Sequence, residues 1–399
     1  MRIFVLIFVV INTIGVNIAA GGSWQQINCE VTRLYIQGDY KNALKSAQQS
    51  VGAAKKEFGN EHENYAKALN NLALINKTIG NYKEAVSLYE QALSIKEKIH
   101  GVDHAANVTV MNNIAGLAKT VADYEKAEVF YKKALEIRRN NLSANDQKIV
   151  VSLNNLAGLY TIEAKYKKAR KLYEQSLEIC DSSDKNIDLV KAQTLNNLAV
   201  LYEKGGNYTL AESLYNESIS ITAEILGPNH PMVADTLNNL TSLYKAQSKL
   251  DMAQSTCQKA LAIRQKFLGP LHPQTAQSLN NLASVYQAQN KIKAAEKIYL
   301  QALDICKKTV GNSHPLTASV LNNIAIIEER NGNYAKAESL FETVLEIRRK
   351  TLGSYHPEVL AALENMHHCC FEAGEKRKSE QIAKEIANFK KQISNSGRD

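Results

Sequence analysis

Proline and tryptophan are scarce in this sequence, which has six prolines and one tryptophan in 399 residues. Proline interrupts helices and central strands, so its scarcity beside abundant alanine, leucine, lysine and glutamate favours long helices. The nucleotide-binding patterns G-x-x-x-x-G-K-[ST] and G-x-G-x-x-G are missing, and so are H-E-x-x-H, C-x-x-C and G-x-S-x-G. These absences argue against an enzyme, and we expect no catalytic residues and no cofactor.

Long apolar runs are also missing after the first twenty residues, because no later stretch reaches the ~18 residues that a membrane-spanning helix needs. In the first twenty, Arg2 is the only charge and residues 3–16 are almost wholly apolar. Small residues follow at 19–22. This order is typical of a secretory signal, so residues 1–20 are predicted to be a signal peptide and the chain to be periplasmic or secreted. An uncleaved membrane anchor is the alternative.

A five-residue motif close to Leu-Asn-Asn-Leu-Ala dominates the rest of the sequence. It begins at residue 69 and recurs every 42 residues, at 111, 153, 195, 237, 279 and 321, with a decayed copy at 363. Seven units therefore fill 63–356, and the same frame extends over 21–62 and 357–399. A repeat of this length predicts a solenoid, and its degenerate first and last units are predicted to cap the two ends.

Within each unit the apolar residues have helical spacing. In unit 147–188, Leu153, Leu156, Ala157 and Tyr160 form one stripe, and a second stripe starts at Ala169. Each unit is therefore predicted to be a pair of helices, A followed by B. The stripe of one pair cannot be buried by that pair alone, so we expect the pairs to stack.

Four junctions between units read Gly-x-x-His-Pro, at 227–231, 269–273, 311–315 and 353–357. Glycine suits a left-handed residue just after helix B, and proline suits the first turn of the next helix A. The junction histidines are expected to be helix caps or packing residues. Equivalent junctions should lie roughly 16–20 Å apart, which is too far for a shared metal ion.

The unit 147–188 resembles the tetratricopeptide repeat in its apolar pattern, which continues on helix B with Ala169 and Tyr173. The 42-residue period and the Leu-Asn-Asn-Leu-Ala and His-Pro motifs resemble the kinesin-light-chain class of these repeats. The eight residues beyond the usual 34 are expected to lengthen helix B by about 12 Å. The resemblance implies an all-α fold, a right-handed superhelical α-solenoid. A signal peptide contradicts a motor adaptor, which works in the cytosol.

The resemblance also implies a scaffold for protein–protein interaction, in which helix A lines a concave groove that binds an extended peptide. The second asparagine of each motif is the expected contact, because a carboxamide can both donate and accept hydrogen bonds. An internal structural role for these asparagines is the alternative. Lysines six residues later in three units are further candidates. The predicted groove residues are Asn71, Asn113, Asn155, Asn197, Asn239, Asn281, Asn323, Lys77, Lys119 and Lys245.

Other kinds of site are not expected. The net charge of +8 is spread over many units without interleaved aromatic residues, so no nucleic-acid partner is predicted. Among the six cysteines, Cys180 and Cys306 occupy one slot three units apart and cannot pair within the chain. The dense cluster 367–370 is weak as a metal site, because neighbours on a helix point in different directions. A structural component acting through the convex face or the ends of the solenoid remains the alternative function, and the oligomeric state stays open.

Overall fold

The computed structural model describes residues 23–182 and 187–396, so the predicted signal peptide, 1–20, lies outside the described residues. These ranges form eighteen α-helices and no strand, with one 3₁₀ turn at Ala105–Asn107. None of these helices has the length and apolarity needed to cross a membrane. The helices are α1 (Trp24–Ile36), α2 (Tyr40–Phe58), α3 (Glu63–Thr78), α4 (Tyr82–His100), α5 (Val108–Thr120), α6 (Tyr124–Asn141), α7 (Gln147–Ile162), α8 (Tyr166–Asp181), α9 (Asp188–Lys204), α10 (Tyr208–Leu226), α11 (Pro231–Ala246), α12 (Leu250–Leu268), α13 (Pro273–Ala288), α14 (Ile292–Thr309), α15 (Pro315–Arg330), α16 (Tyr334–Leu352), α17 (Pro357–Glu372) and α18 (Lys376–Ser396).

The predicted helix pairs are confirmed, with odd-numbered helices as helix A and even-numbered helices as helix B of nine successive units. In the second to eighth units, helix B buries an alanine and, four residues later, an aromatic residue or a cysteine against its neighbours. Ala169 and Tyr173 are 0% and 1% exposed, for example. Cys257 takes the place of the aromatic residue in the sixth unit, where burial raises the pKa of its thiol to about 12. It is therefore a core residue, as the sequence predicts.

The junction histidines cap helix A, as expected. Nδ1 of His314 accepts a hydrogen bond from the backbone N–H of Leu316 at 3.0 Å, and proline holds the first helical position. The same cap forms at three junctions with proline and at two without it. These further caps are His230, His272, His356, His62 and His104. A histidine ring therefore satisfies one of the free N–H groups at the start of each of these helices or, for His104, of the 3₁₀ turn that leads into α5.

The conformation of the junction glycines differs from the expected left-handed form. Gly227 has φ 87° and ψ 153°, and Gly269 has φ 93° and ψ 161°. This combination of positive φ with extended ψ is open almost only to glycine. The left-handed residue lies instead in the turn between helices A and B, called the A–B turn below, where Ala164 has φ 56°.

Candidate binding groove

The asparagine pairs of helix A form a ladder that joins successive units. The second asparagine of one unit donates from Nδ2 to Oδ1 of the first asparagine in the preceding unit. Asn113 donates to Asn70 at 2.9 Å, and Asn239 donates to Asn196 at 2.9 Å. The same bond forms from Asn71, Asn155, Asn281, Asn323 and Asn365.

The ladder is interrupted at the fourth and fifth units. Asn154 turns its Nδ2 to Thr194 Oγ1 at 2.7 Å, and its own Oδ1 is buried without a hydrogen-bond partner in the described part of the chain. Nδ2 of Asn197 is likewise buried and has no hydrogen-bond partner among those residues. This is also the junction where Ile187, instead of histidine, precedes the next helix A.

The ladder uses only part of each second asparagine. All seven predicted groove asparagines are partly exposed, neither buried nor fully in solvent. A carboxamide has two N–H groups and one oxygen, and the ladder bond uses one N–H. Two oxygens accept within their own helix, Asn71 from Asn70 at 3.5 Å and Asn281 from Gln277 at 3.2 Å. The structural and the ligand-binding roles that the sequence leaves open are thus compatible in one side chain.

Two of the three candidate lysines, Lys77 and Lys245, lie against the next unit of the solenoid. Lys245 donates from Nζ to Ser284 Oγ at 2.5 Å. Nζ of Lys77 lies beside Gly116 of the next unit, 3.2 Å from the position that a Cβ would take on that glycine. Burial lowers the pKa of Lys77 to about 8 and also lowers the pKa of Lys245. Lys119 is partly buried at the same position of the third unit.

In other units this position holds an acceptor for the buried tyrosine of helix B. Tyr215 donates its hydroxyl to Glu203 at 2.8 Å, and Tyr299 donates to Gln287 at 2.9 Å. Burial raises the pKa of Glu203. Sequence reasoning missed these pairs, although their constant spacing of twelve residues could have indicated them. Variation at this position therefore changes the contacts between helix A and helix B.

A possible metal-binding group at the C-terminal end does not suit a metal ion. The ligand atoms of Glu338, Cys370 and Glu375 lie within 4.8 Å of one another. However, Lys378 forms ion pairs with both carboxylates. Burial raises the pKa of Cys370 to about 11, so the group is a neutral thiol and a lysine ammonium already occupies the space between the acids.

Comparison with known families identifies the repeats. A tetratricopeptide repeat profile matches residues 34–98, 70–140, 107–182, 190–256, 242–308 and 316–392, and a second profile of the same name matches 281–350. The chain belongs to the tetratricopeptide repeat family. No curated protein sequence matches it.

Solved structures of similar repeat proteins match part of this chain. Two are crystal structures of a Podosopora anserina putative kinesin light chain with nearly identical TPR-like repeats, one of them a single-residue variant, and both are 24% identical. The variant covers 51% of this chain and 97% of its own (TM-score 0.43), and the other covers 54% and 100% (TM-score 0.43). The third is BtubC (BKLC) from P. vanneervenii, 26% identical, covering 59% of this chain and 92% of its own (TM-score 0.44).

Proposed function

We propose that this tetratricopeptide repeat protein is an exported scaffold that binds extended peptide segments in its concave groove. The observation that carries the proposal is the row of partly exposed second asparagines, which the ladder holds in register in every described unit of the row except the fifth. Side chains fixed before binding lose little conformational entropy when a ligand arrives. The row therefore offers backbone-directed hydrogen bonds with little demand on the ligand's sequence.

The spacing of the row suits a segment longer than a short motif. Successive rungs are at most about 10 Å apart, because Asn113 bonds Asn70, which in turn bonds the preceding rung, Asn71. An extended peptide covers that distance in about three residues. Lys77, Lys119 and Lys245 would add unit-specific donors along this path, and their partial burial would strengthen a contact with a ligand oxygen.

The test needs a control that breaks the ladder without touching the proposed contacts. The binding variant replaces Asn155, Asn239, Asn281 and Asn323 with alanine. The control variant replaces their four ladder acceptors, Asn112, Asn196, Asn238 and Asn280, and so removes the same four bonds. A random peptide display library is panned on the chain 23–399, and enriched peptides are titrated by fluorescence polarisation against all three proteins.

We expect the enriched peptides to bind the unchanged chain and the control variant, and to bind the first variant at least tenfold more weakly. Circular dichroism and urea midpoints show whether the two variants are equally folded. Equal weakening in both variants would make the ladder purely structural. Unchanged binding in both would favour the alternative function, in which the convex face or the solenoid ends make the contacts.

Export is a separate part of the proposal. It predicts that the chain recovered from the producing cells lacks about the first twenty residues. Intact-mass measurement of the protein from the exported fraction tests this, and a full-length chain retained with the membranes would favour the uncleaved anchor.

A further inference from the structure

The last three units touch the first three through their His-Pro junctions. Nε2 of His314 lies 2.7 Å from the carbonyl oxygen of Thr78, and Nε2 of His356 lies 3.1 Å from that of Thr120. Both pairs are 236 residues apart. Each histidine begins helix A of one unit, and each carbonyl ends helix A of the unit six earlier. The solenoid thus completes one superhelical turn in about six units and then meets itself edge to edge.

A third contact continues this series at the first unit. His272, only 3% exposed, packs on Gly38 in the A–B turn of the first unit. A Cβ at Gly38 would lie 2.6 Å from Cδ2 of His272 and 2.8 Å from Cδ of Pro273. Nε2 of His272 forms no hydrogen bond of ordinary geometry among the described residues, although the backbone of Ile36 lies close enough to raise its pKa slightly, so packing carries most of this contact. Three successive units therefore use the same element of the repeat to touch the preceding superhelical turn.

The chemistry of the two bonded contacts is complementary. Nδ1 of His314 accepts the helix cap, so in the neutral ring the proton sits on Nε2 and can be donated. The last carbonyls of a helix lack partners inside the helix, and they carry the negative end of its dipole. One histidine ring therefore satisfies the start of its own helix and the end of a helix six units away.

The A–B turns that contact the His-Pro junctions have small residues at the point of contact. Gly80 faces Cδ of Pro315, which would lie 3.1 Å from an added Cβ. Alanine replaces glycine in the third turn, at Ala122, where the histidine–carbonyl distance is the longer of the two. The equivalent Gly206 and Gly332 have open space around them. Since Ala122 and Ala164 adopt the same positive φ, the backbone alone does not demand glycine at 38 and 80.

We propose that His272, His314 and His356 form a clasp that holds the superhelix closed over one turn, and that release of this clasp opens the concave groove to a ligand. The closure follows from the contacts alone. The control of access rests on the proposed function, because it assumes that the ligand lies in the groove. The clasp joins only the two ends of the chain, so the middle units keep their stacking when it opens.

Small-angle X-ray scattering tests the closure. The clasp variant replaces His272, His314 and His356 with asparagine, which caps a helix well but is too short to reach the other turn. The matched control replaces His62, His104 and His230, which form the same cap and make no hydrogen bond from Nε2 among the described residues. We expect the maximum dimension of the clasp variant to increase by at least one helix diameter, about 10 Å, and that of the control to stay unchanged. Equal dimensions in the two variants would overturn the clasp.

A second pair of variants separates the contact from the histidine caps. Gly38→Ala with Gly80→Ala places two methyl groups in the contact, whereas Gly206→Ala with Gly332→Ala makes the same change where space is open. We expect only the first pair to increase the maximum dimension. Closed scattering from the first pair would contradict the clasp even if the asparagine variant failed to fold.

Control of access is tested with a peptide enriched on the unchanged chain. Stopped-flow fluorescence should give an association rate constant at least threefold higher for the glycine variant at 38 and 80 than for its control. An open variant with an unchanged rate constant would overturn the control of access while leaving the closure in place. The scattering result also stands by itself if no peptide is enriched, so failure of the clasp and failure of the proposed function are distinguishable.

Discussion

The first unit and the fourth unit place the same tyrosine in different surroundings. Tyr40 begins helix B of the first unit and is 7% exposed, whereas Tyr166 begins helix B of the fourth unit and is 37% exposed. Tyr208, in the fifth unit, is also 37% exposed. The His272 junction of the seventh unit contacts Gly38, two residues before Tyr40, and among the described residues the A–B turns of the fourth and fifth units receive no His-Pro junction. The Tyr40 ring also packs on Tyr35 of its own unit, with ring centroids 5.5 Å apart, so the sequence of the unit and its position along the superhelix both contribute to this burial.

The second unit shows the same effect in its electrostatics. Burial, with a smaller contribution from the carboxylate of Glu358, raises the pKa of Tyr82 to about 12. Glu358 belongs to the ninth unit, so two distant units share one electrostatic environment. A repeat protein is usually described by contacts between neighbouring units. Here contacts between units six apart, together with this interaction between units seven apart, add a second, non-local set, and the following variants measure its strength.

The largest expected effect is at the covered tyrosine. Tyr40→Ala should lower the free energy of unfolding by about 4 kcal/mol, because it leaves a cavity in place of a buried aromatic ring. Tyr166→Ala, at the equivalent exposed position, should lower it by about 1 kcal/mol. Urea unfolding followed by circular dichroism gives both values. Equal losses would mean that the greater burial of Tyr40 does not stabilise the first unit.

The second largest effect is expected at Arg264, a buried arginine close to His272. Arg264 is 5% exposed, pairs with Asp235 at 2.6 Å and donates to the carbonyl of Gln274 at 2.9 Å. Arg264→Ala leaves these groups without their partner and should cost about 3 kcal/mol. Arg138 occupies the same position at a junction without His-Pro and donates to Lys148 O, so Arg138→Ala should cost about 1 kcal/mol. A larger loss from the Arg138 variant in urea unfolding would contradict this ranking.

Acid should weaken the covered region through His272. Burial and the neighbouring Arg264 guanidinium lower the pKa of His272 to about 4. The unfolded histidine has an ordinary pKa of about 6.5, so on acidification the unfolded chain takes up this proton first. The contribution of neutral His272 to the free energy of unfolding is therefore complete above pH ~6.5, and it falls by about 2 kcal/mol between pH 7 and pH 5.

The control for this pH dependence is His272→Asn, which keeps a cap but does not titrate. The urea midpoint is measured for both proteins at pH 7 and at pH 5. Subtracting the change seen in the His272→Asn variant from the change seen in the unchanged chain removes the contribution of all other titrating groups. A pH dependence of the same size in both proteins would show that His272 does not titrate as described.

The smallest expected effect compares an intact rung of the ladder with the interrupted one. Asn113→Ala removes a bond of 2.9 Å and should cost about 1 kcal/mol. Asn197→Ala removes a buried N–H that has no hydrogen-bond partner, so it should cost close to nothing or stabilise the chain slightly. Thermal unfolding by differential scanning calorimetry measures both, and a greater loss at Asn197 would contradict the assignment of the ladder.

The helix pairs, the proline positions and the histidine caps could be predicted from the sequence because they depend on residues a few positions apart. The apolar stripe of Leu153, Leu156 and Tyr160 defines a buried helix face without knowledge of the rest of the chain. The glycine after helix B was recognised, but its ψ was predicted wrongly, because a positive φ is compatible with more than one glycine conformation.

The ladder and the clasp could not be predicted in the same way. The partner of Asn113 lies 43 residues away, and the repeat period indicates that two equivalent positions are near each other but not which atoms meet. The contact between His314 and Thr78 depends on the rotation between units summed over six steps, which no single unit encodes. The concentration of His-Pro in the last four junctions was visible in the sequence, but its partners were not.

The distance between the second and eighth units tests the closed superhelix most directly. Spin labels are attached at Lys83→Cys and Ser354→Cys. The background substitution Cys29→Ser removes the exposed native cysteine, so the remaining native cysteines are buried. Gly80 and Thr351 are in contact, since Cγ2 of Thr351 would lie 3.7 Å from a Cβ added at Gly80. The label at 83 is three residues from Gly80 and the label at 354 is three residues from Thr351, and three residues span at most about 10 Å. Pulsed electron paramagnetic resonance should therefore give a narrow distance distribution below about 40 Å. A broad distribution centred beyond about 60 Å, as expected when six stacked helix pairs do not meet, would contradict the closed turn.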